Sequence, residues 1–288
     1  MIYLNNRLVP RSEAAISVFD HGFLYGDGIY ETMRAYKGTV FMIDEHIDRL
    51  FSSASRIGLA IGKKRETIKK AVYETLSANR SNDAVIRITV SRGPGPLGLD
   101  PALCRKPTFL IFASKFKDYP GEYREKGVKI IFTSTRRNYN KALDPQIKSL
   151  NFLNNILAKI EAKKEGAFEA VMPNYRGYVA EGTVSNIFFV KDDVLYTPSL
   201  SVGILNGITR GLILDIAKGL NIRTREGNYR PQGIYRAQEV FLTNTTMEVM
   251  AVTKIHRKTV SRRPGKITRL IHSVYARKVN DYIKENAL

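Results

Sequence analysis

No apolar run in this chain is longer than a single β-strand. The strand-length runs alternate with segments whose apolar residues recur every three or four positions. A membrane span needs about 20 consecutive apolar residues, so none is expected. Strands and amphipathic helices must instead share buried cores. The chain has 288 residues, enough for two domains of ordinary size or one large α/β domain.

Periodicity predicts a first strand over residues 2–8, ending near Pro10, and another over 29–36, turned at Lys37-Gly38. Asp44 is placed to cap a helix whose apolar face is Ile47, Leu50, Phe51, Ala54 and Ile57. A second helix covers 66–78, followed by strands over 84–91 and 108–114. The loop between those strands, 92–101, is rich in glycine and proline and too long for a tight turn, a length often tied to function. The polar stretch 117–126 contains Pro120-Gly121 and reads as an interdomain connection. Beyond it the pattern predicts a strand over 128–134 and a helix over 149–165. Strands follow over 168–172, 178–180, 185–190 and 194–196. Then come a helix from Thr209 to about Gly219, a strand over 239–243 and a final amphipathic helix over 266–285. The expected division is a smaller N-terminal domain (1–117), a linker (118–126) and a larger C-terminal domain (127–288).

The net charge is +19, but the basic residues are spread along the whole chain, with only short clusters such as Arg257-Lys258 and Arg262-Arg263. A solvated basic surface accounts for this, so neither nucleic acid nor membrane is expected as a partner. There is one cysteine, Cys104, and the four histidines are scattered, so neither a disulfide framework nor a metal site is expected. The first residues lack the basic-then-apolar layout of a secretory signal, and a cytoplasmic protein is expected.

Several segments carry candidate chemistry. Lys148 precedes the apolar run that predicts a helix. At a helix start the dipole disfavours a cation and favours a neutral amine. An ordinary exposed lysine fits the same description. Glu181 precedes an apolar strand and could serve a protonated ring nitrogen, or be a plain surface carboxylate. The run 205–211 turns into a helix, where backbone N–H groups and the Thr209 hydroxyl suit a phosphate; a simple N-cap by Thr209 is the other reading. The run 243–246 adds hydroxyl donors, and Arg49 could supply positive charge.

Taken together, these motifs resemble the class IV aminotransferases, the family of branched-chain and D-amino-acid aminotransferases. The series Glu181, Asn186-Ile187-Phe188, Leu195, Thr197, Leu205, Gly207, Ile208 and Arg210 resembles the family's long signature in order and gap length. Tyr25-Gly26-Asp27-Gly28-Ile29-Tyr30-Glu31-Thr32-Met33-Arg34 resembles its N-terminal motif, and Lys148-Ser149-Leu150-Asn151 its Schiff-base segment.

The resemblance implies the α/β (α+β) fold-type IV architecture: a small N-terminal α/β domain, a larger domain around a β-barrel-like core, and pyridoxal 5'-phosphate in the cleft between them. It implies a homodimer whose subunits complete each other's sites, with higher assembly open. By matched position it implies that Lys148 carries the cofactor and Glu181 faces the ring nitrogen, with Asn186 in the same site. Arg49, Ile208, Thr209 and Thr245 would hold the phosphate, and Arg137 would lie near the phenolic oxygen. The family's phenolic-oxygen tyrosine is replaced here by Phe152.

Tyr25, Tyr30, Arg34, Arg87, Thr245 and Thr246 would meet substrate. Tyr30 resembles the D-amino-acid enzymes, while Arg34, Arg87 and the loop 92–101 resemble the branched-chain enzymes. Leu97 and Leu99 stand where the D-enzymes place an arginine and a histidine. The implied reaction is ping-pong transamination of an L-branched-chain amino acid with 2-oxoglutarate, through pyridoxamine phosphate. D-amino-acid transamination and aminodeoxychorismate cleavage are alternatives on the same scaffold. A non-enzymatic basic binding protein would lack a use for these cofactor residues.

Overall fold

The computed structural model describes residues 1–286. The chain forms two compact units. The first comprises Met1–Lys117, Ile147–Asn151 and residues 281–286; the second comprises Asp118–Gln146 and Phe152–Asn280.

The first unit holds strands β1 (Ile2–Leu4), β2 (Arg7–Val9), β3 (Gly28–Tyr36), β4 (Thr39–Val40), β5 (Ala84–Ser91) and β6 (Thr108–Lys115). They form one antiparallel sheet in the order β2-β1-β6-β5-β3-β4. The strand expected over residues 2–8 is instead a hairpin. Asn5 and Asn6 take left-handed φ values of 47° and 80° and turn the chain, a conformation asparagine tolerates and hairpins favour.

Alternation sets the core. Ala84, Ile86, Ile88 and Val90 of β5 are fully buried, while Val85, Arg87 and Thr89 between them are half-buried. The buried face packs with Ile29 and Met33 of β3 against helices Ile43–Arg56 and Arg65–Ala78, through Ile47, Leu50, Ile68 and Val72. Each such side chain contributes about 1.5–3 kcal/mol by burial. Asp44 is not the cap of the first of these helices. Met42, left-handed at φ 53°, is at the cap position, and Asp44 lies in the first turn, where its charge favours the dipole.

The second unit holds β7 (Val128–Phe132), β8 (Glu169–Pro173), β9 (Val179–Gly182), β10 (Asn186–Lys191), β11 (Val194–Pro198), β12 (Thr224–Gly227), β13 (Glu239–Asn244), β14 (Glu248–Ile255) and β15 (Lys258–Thr259). The sheet order is β12-β11-β10-β13-β14-β7-β8-β9, with β15 added beside β14. The Val179 N–H donates to the carbonyl of Tyr229, two residues beyond β12, so the two ends of the sheet meet and it curls into a barrel-like form. Its core includes Val128, Ile130, Val171, Ile187, Leu242, Met250 and Ile255.

The second unit departs from expectation in three places. β14, central in the sheet, has no counterpart among the expected strands, although Val249–Val252 is an apolar run. The stretch expected as a linker belongs to this unit. It forms a short helix, Gly121–Lys126, and Tyr119 and Tyr123 pack on the core. The helix expected from Ser149 begins only at Leu153. The last helix, Lys266–Glu285, has the predicted bounds.

Candidate active site

In the first unit the site is built on β3. Residues Lys148–Leu150 run as an extended segment along its free edge. The Tyr30 N–H donates to the Lys148 carbonyl and the Leu150 N–H to the Gly28 carbonyl, both at 2.9 Å, and Ile29 bridges Ser149. Gly28 permits the approach: a Cβ there would lie 2.7 Å from Leu150 and 2.8 Å from the Val90 carbonyl. Lys148 is therefore not at a helix N-terminus, and the dipole argument for its amine does not apply.

A different environment surrounds it. Lys148 Nζ lies 3.4 Å from the Tyr30 hydroxyl and 4.4 Å from the centre of that ring. The Arg87 guanidinium stacks on the same ring at 3.8 Å, and its Nε donates to Thr89. Burial lowers the pKa of Arg87, opposed by Tyr30. Two cations thus share one tyrosine, a cation–π arrangement that gains strength with desolvation.

Helix Ile43–Arg56 turns His46, Arg49 and Ser53 toward the same strand, the spacing of one helical face. Glu31, with no exposed surface, accepts from Arg49 Nε at 2.7 Å, Arg49 Nη2 at 2.8 Å and His46 Nδ1 at 2.8 Å. Burial alone would raise the pKa of Glu31. The charge of Arg49 and the hydrogen bonds from Arg49 and His46 outweigh it and hold the carboxyl far below its usual range. Burial pushes His46 down against the pull of Glu31, which favours the neutral ring donating from Nδ1. The Ser53 hydroxyl accepts from the Lys148 N–H at 3.2 Å. Sequence reasoning singled out Arg49 from this group and missed His46 and Ser53.

Arg34 lies further along β3. Its guanidinium stacks on Phe116 at 3.1 Å and Tyr36 at 4.6 Å, reaches Asp83 at 3.6 Å, and its Nε donates to the Ala35 carbonyl. Tyr25 ends a short helix, and its hydroxyl accepts from the Gly98 N–H. The loop carrying Leu97 and Leu99 is anchored at its base: Arg92 is held by Asp27 and by the carbonyls of Ile57 and Gly58. Leu97 and Leu99 themselves are 72% and 83% exposed.

In the second unit Glu181 lies near the end of β9 and is buried. It accepts from Arg137 Nε at 2.8 Å, from the Leu205 N–H at 3.0 Å and from Asn186 Nδ2 at 3.4 Å. Arg137 also donates to Asn155, which in turn donates to the Thr183 carbonyl. Asn186 donates to the Leu205 carbonyl as well, fixing the turn that leads into helix Ile208–Gly219. The cap of that helix is Gly207, not Thr209, and no side chain caps it. A Cβ on Gly207 would sit 2.1 Å from Asn186 Oδ1. Ile208 and buried Thr209 open the helix.

Thr243 is opposite Asn186 in the sheet, and its buried hydroxyl has no partner among the described residues. Asn244 Oδ1 accepts from the Thr246 N–H and hydroxyl and from the Met247 N–H, folding 244–247 into a turn that carries Thr245. Phe152 precedes helix Leu153–Lys164 as its cap residue. A cavity of about 340 Å³ lined by Phe189, Tyr196, Tyr229, Lys191 and Arg236 contains none of the expected site residues.

Comparison with known proteins identifies the family. The family model for amino-transferase class IV matches residues 28–255. A Methanocaldococcus jannaschii protein, provisionally named a branched-chain-amino-acid aminotransferase, is 44% identical over 93% of this chain and 92% of its own. The aminodeoxychorismate lyase of Bacillus subtilis is 33% identical over 99% and 97% of the two chains. The D-alanine aminotransferase of Bacillus licheniformis is 35% identical over 94% of each. Among solved structures, the T.th. branched-chain amino acid aminotransferase with pyridoxamine 5'-phosphate superposes with a TM-score of 0.93 at 31% identity, covering 97% of this chain and 94% of that one. The fold is that of these fold-type IV enzymes, and the chain belongs to the class IV aminotransferase family.

Proposed function

We propose that this protein transfers the amino group of an L-branched-chain amino acid to 2-oxoglutarate in ping-pong order, with pyridoxal 5'-phosphate as cofactor. The observation that carries the reading is the Lys148 amine held against the Tyr30 hydroxyl by a backbone segment laddered onto β3. The residues present fit the cofactor. They offer an amine, a buried carboxylate, a helix start that no side chain caps, and at Thr243 a buried hydroxyl with no partner among the described residues. When bound, the cofactor supplies an aldehyde for the amino group and a protonated ring that withdraws electrons from the substrate α-carbon.

In this reading Lys148 Nζ carries the cofactor and then moves the proton from the substrate α-carbon. The Tyr30 hydroxyl orients that amine. Glu181 holds the proton on the ring nitrogen, and Arg137 and Asn186 hold Glu181. Arg49, the Ile208 N–H and the hydroxyls of Thr209 and Thr245 take the phosphate. Thr246, which bonds to Asn244 and Tyr119, braces the turn that carries Thr245. Arg87 supplies positive charge for a substrate carboxylate on the Tyr30 face.

The family also holds D-amino-acid enzymes and lyases, so the substrate is decided by side chains. Leu97 and Leu99 offer apolar surface and no carboxylate partner. Each buried methylene contributes about 0.8 kcal/mol, so leucine gains roughly 50-fold over alanine. Single amino acids of either hand, mixed with the holoenzyme, should discharge the cofactor's visible absorbance at different rates. L-leucine, L-isoleucine and L-valine should outpace D-alanine and D-glutamate by at least about tenfold. Faster discharge by D-alanine would assign the chain to D-amino-acid chemistry, and pyruvate released from aminodeoxychorismate would assign it to the lyases.

The assembly is proposed to be a homodimer in the cytoplasm. Leu153, Ile156, Leu157 and Ile160 form an exposed apolar stripe on their helix, and Phe19, Phe23, Leu97 and Leu99 are exposed in the first unit. Exposed apolar groups of this kind mark association surfaces. Sedimentation at micromolar concentration should give a dimer or a multiple of it, and a monomer would reject this.

A further inference from the structure

The cluster of Glu31, His46 and Ser53 is buried almost completely, at 0%, 2% and 1% exposure. A buried carboxylate is costly unless it is paired and hydrogen-bonded, and Glu31 is satisfied by three donors. Two come from Arg49, in the bidentate geometry that fixes a guanidinium plane. Ser53, on the same helix face, holds the N–H of Lys148. The helix therefore joins Arg49 to β3 through Glu31 and Lys148 to itself through Ser53.

We propose that Glu31, His46 and Ser53 are positioning residues that hold Arg49 and Lys148 as one preassembled pair. Glu31 aims the Arg49 guanidinium, His46 secures the second oxygen of Glu31, and Ser53 pins the Lys148 backbone. This rests on the reading that Arg49 meets the cofactor phosphate and Lys148 its aldehyde. Two effects of Glu31 oppose each other. Its negative charge repels a phosphate, which would make its removal favourable to binding. Its hydrogen bonds preorganise Arg49, which would make its removal unfavourable. The bidentate pairing of Arg49 with a carboxylate that has no exposed surface argues that preorganisation wins.

The test is equilibrium binding of pyridoxal 5'-phosphate and of pyridoxal, which lacks the phosphate, to the full-length protein freed of cofactor. Arg49→Ala should abolish most of the preference for the phosphorylated form. Glu31→Gln should weaken pyridoxal 5'-phosphate about tenfold, through loss of one of the two charge-assisted hydrogen bonds that aim Arg49, and leave pyridoxal within about twofold. In the Arg49→Ala background, Glu31→Gln should add nothing. His46→Leu should act like a milder Glu31→Gln, and His46→Gln, which keeps a donor, should restore the preference. Ser53→Ala should weaken both ligands alike, because it acts on Lys148.

Tighter or unchanged pyridoxal 5'-phosphate binding in Glu31→Gln, with Arg49→Ala impaired, overturns the proposal. So do additive effects in the double variant. Should Glu31→Gln not fold, a normal preference in folded His46→Leu overturns it equally. An unchanged preference in Arg49→Ala rejects the phosphate role of Arg49 itself, a result distinct from all of these.

Discussion

Lys148→Ala should give a folded protein that binds no cofactor covalently and turns over no substrate. The fold should survive because the ladder to β3 is made by backbone groups: the Tyr30 N–H to the Lys148 carbonyl, the Leu150 N–H to the Gly28 carbonyl, and the Lys148 N–H to Ser53. None of these needs the side chain. Activity should not survive, because in the proposed mechanism one amine serves as both attachment point and proton carrier. General-base contributions alone reach about 10²–10⁴-fold, and loss of the attachment adds to that. The measurements are the visible absorbance of the lysine-linked cofactor and, in the wild type, borohydride reduction followed by peptide mapping. A label on another lysine, or turnover retained in Lys148→Ala, removes Lys148 from this role.

Glu181→Gln should retain cofactor and lose most of the turnover. A glutamine oxygen can still accept from Arg137 or from the Leu205 N–H, so the local turn should hold. Losing one charge-assisted hydrogen bond costs about 1.5–3 kcal/mol, which weakens binding without abolishing it. The effect on kcat should be larger, on the order of 100-fold or more, because the ring-nitrogen proton matters most in the transition state. Single-turnover rates with L-leucine and the cofactor dissociation constant, measured on the same variant, separate the two effects. Near-normal turnover in Glu181→Gln would show that ring protonation does not depend on this carboxylate.

The parts of the fold that were legible in the sequence are those written in short-range periodicity. The terminal helix over 266–285, the strands at 84–91 and near 29–36, and the apolar faces around Ile47 and Leu50 follow from spacing alone. Turns with a chemical signature were also legible, such as Lys37-Gly38 with its two positive φ values. The Asn5-Asn6 turn carries the same signal, hidden inside an apparent strand. β14 shows the opposite limit: a strand-length apolar run that only its neighbours β13 and β7 identify as the middle of a sheet.

The candidate site divides along the same line. The sequence determined which chemical groups were available: an amine at 148, a carboxylate at 181, arginines at 49, 87 and 137, and a glycine ahead of a helix at 207. Only the tertiary structure decided what each one touches. Lys148 looked like the first residue of a helix because an apolar helix does follow. Pairing with Gly28 and Tyr30, more than a hundred positions away, draws residues 148–150 into an extended edge and delays the helix to Leu153. Arg34 and Arg87 read alike in the sequence, yet one is held by Phe116 and Asp83 while the other stacks over Tyr30. Glu31, His46 and Ser53 have no shared local pattern with Lys148; a helix packed on a strand brings them together. Periodicity reports which face of an element is buried, because that depends on neighbours a few residues apart. The partner of a buried charge depends on long-range packing, which no local spacing encodes.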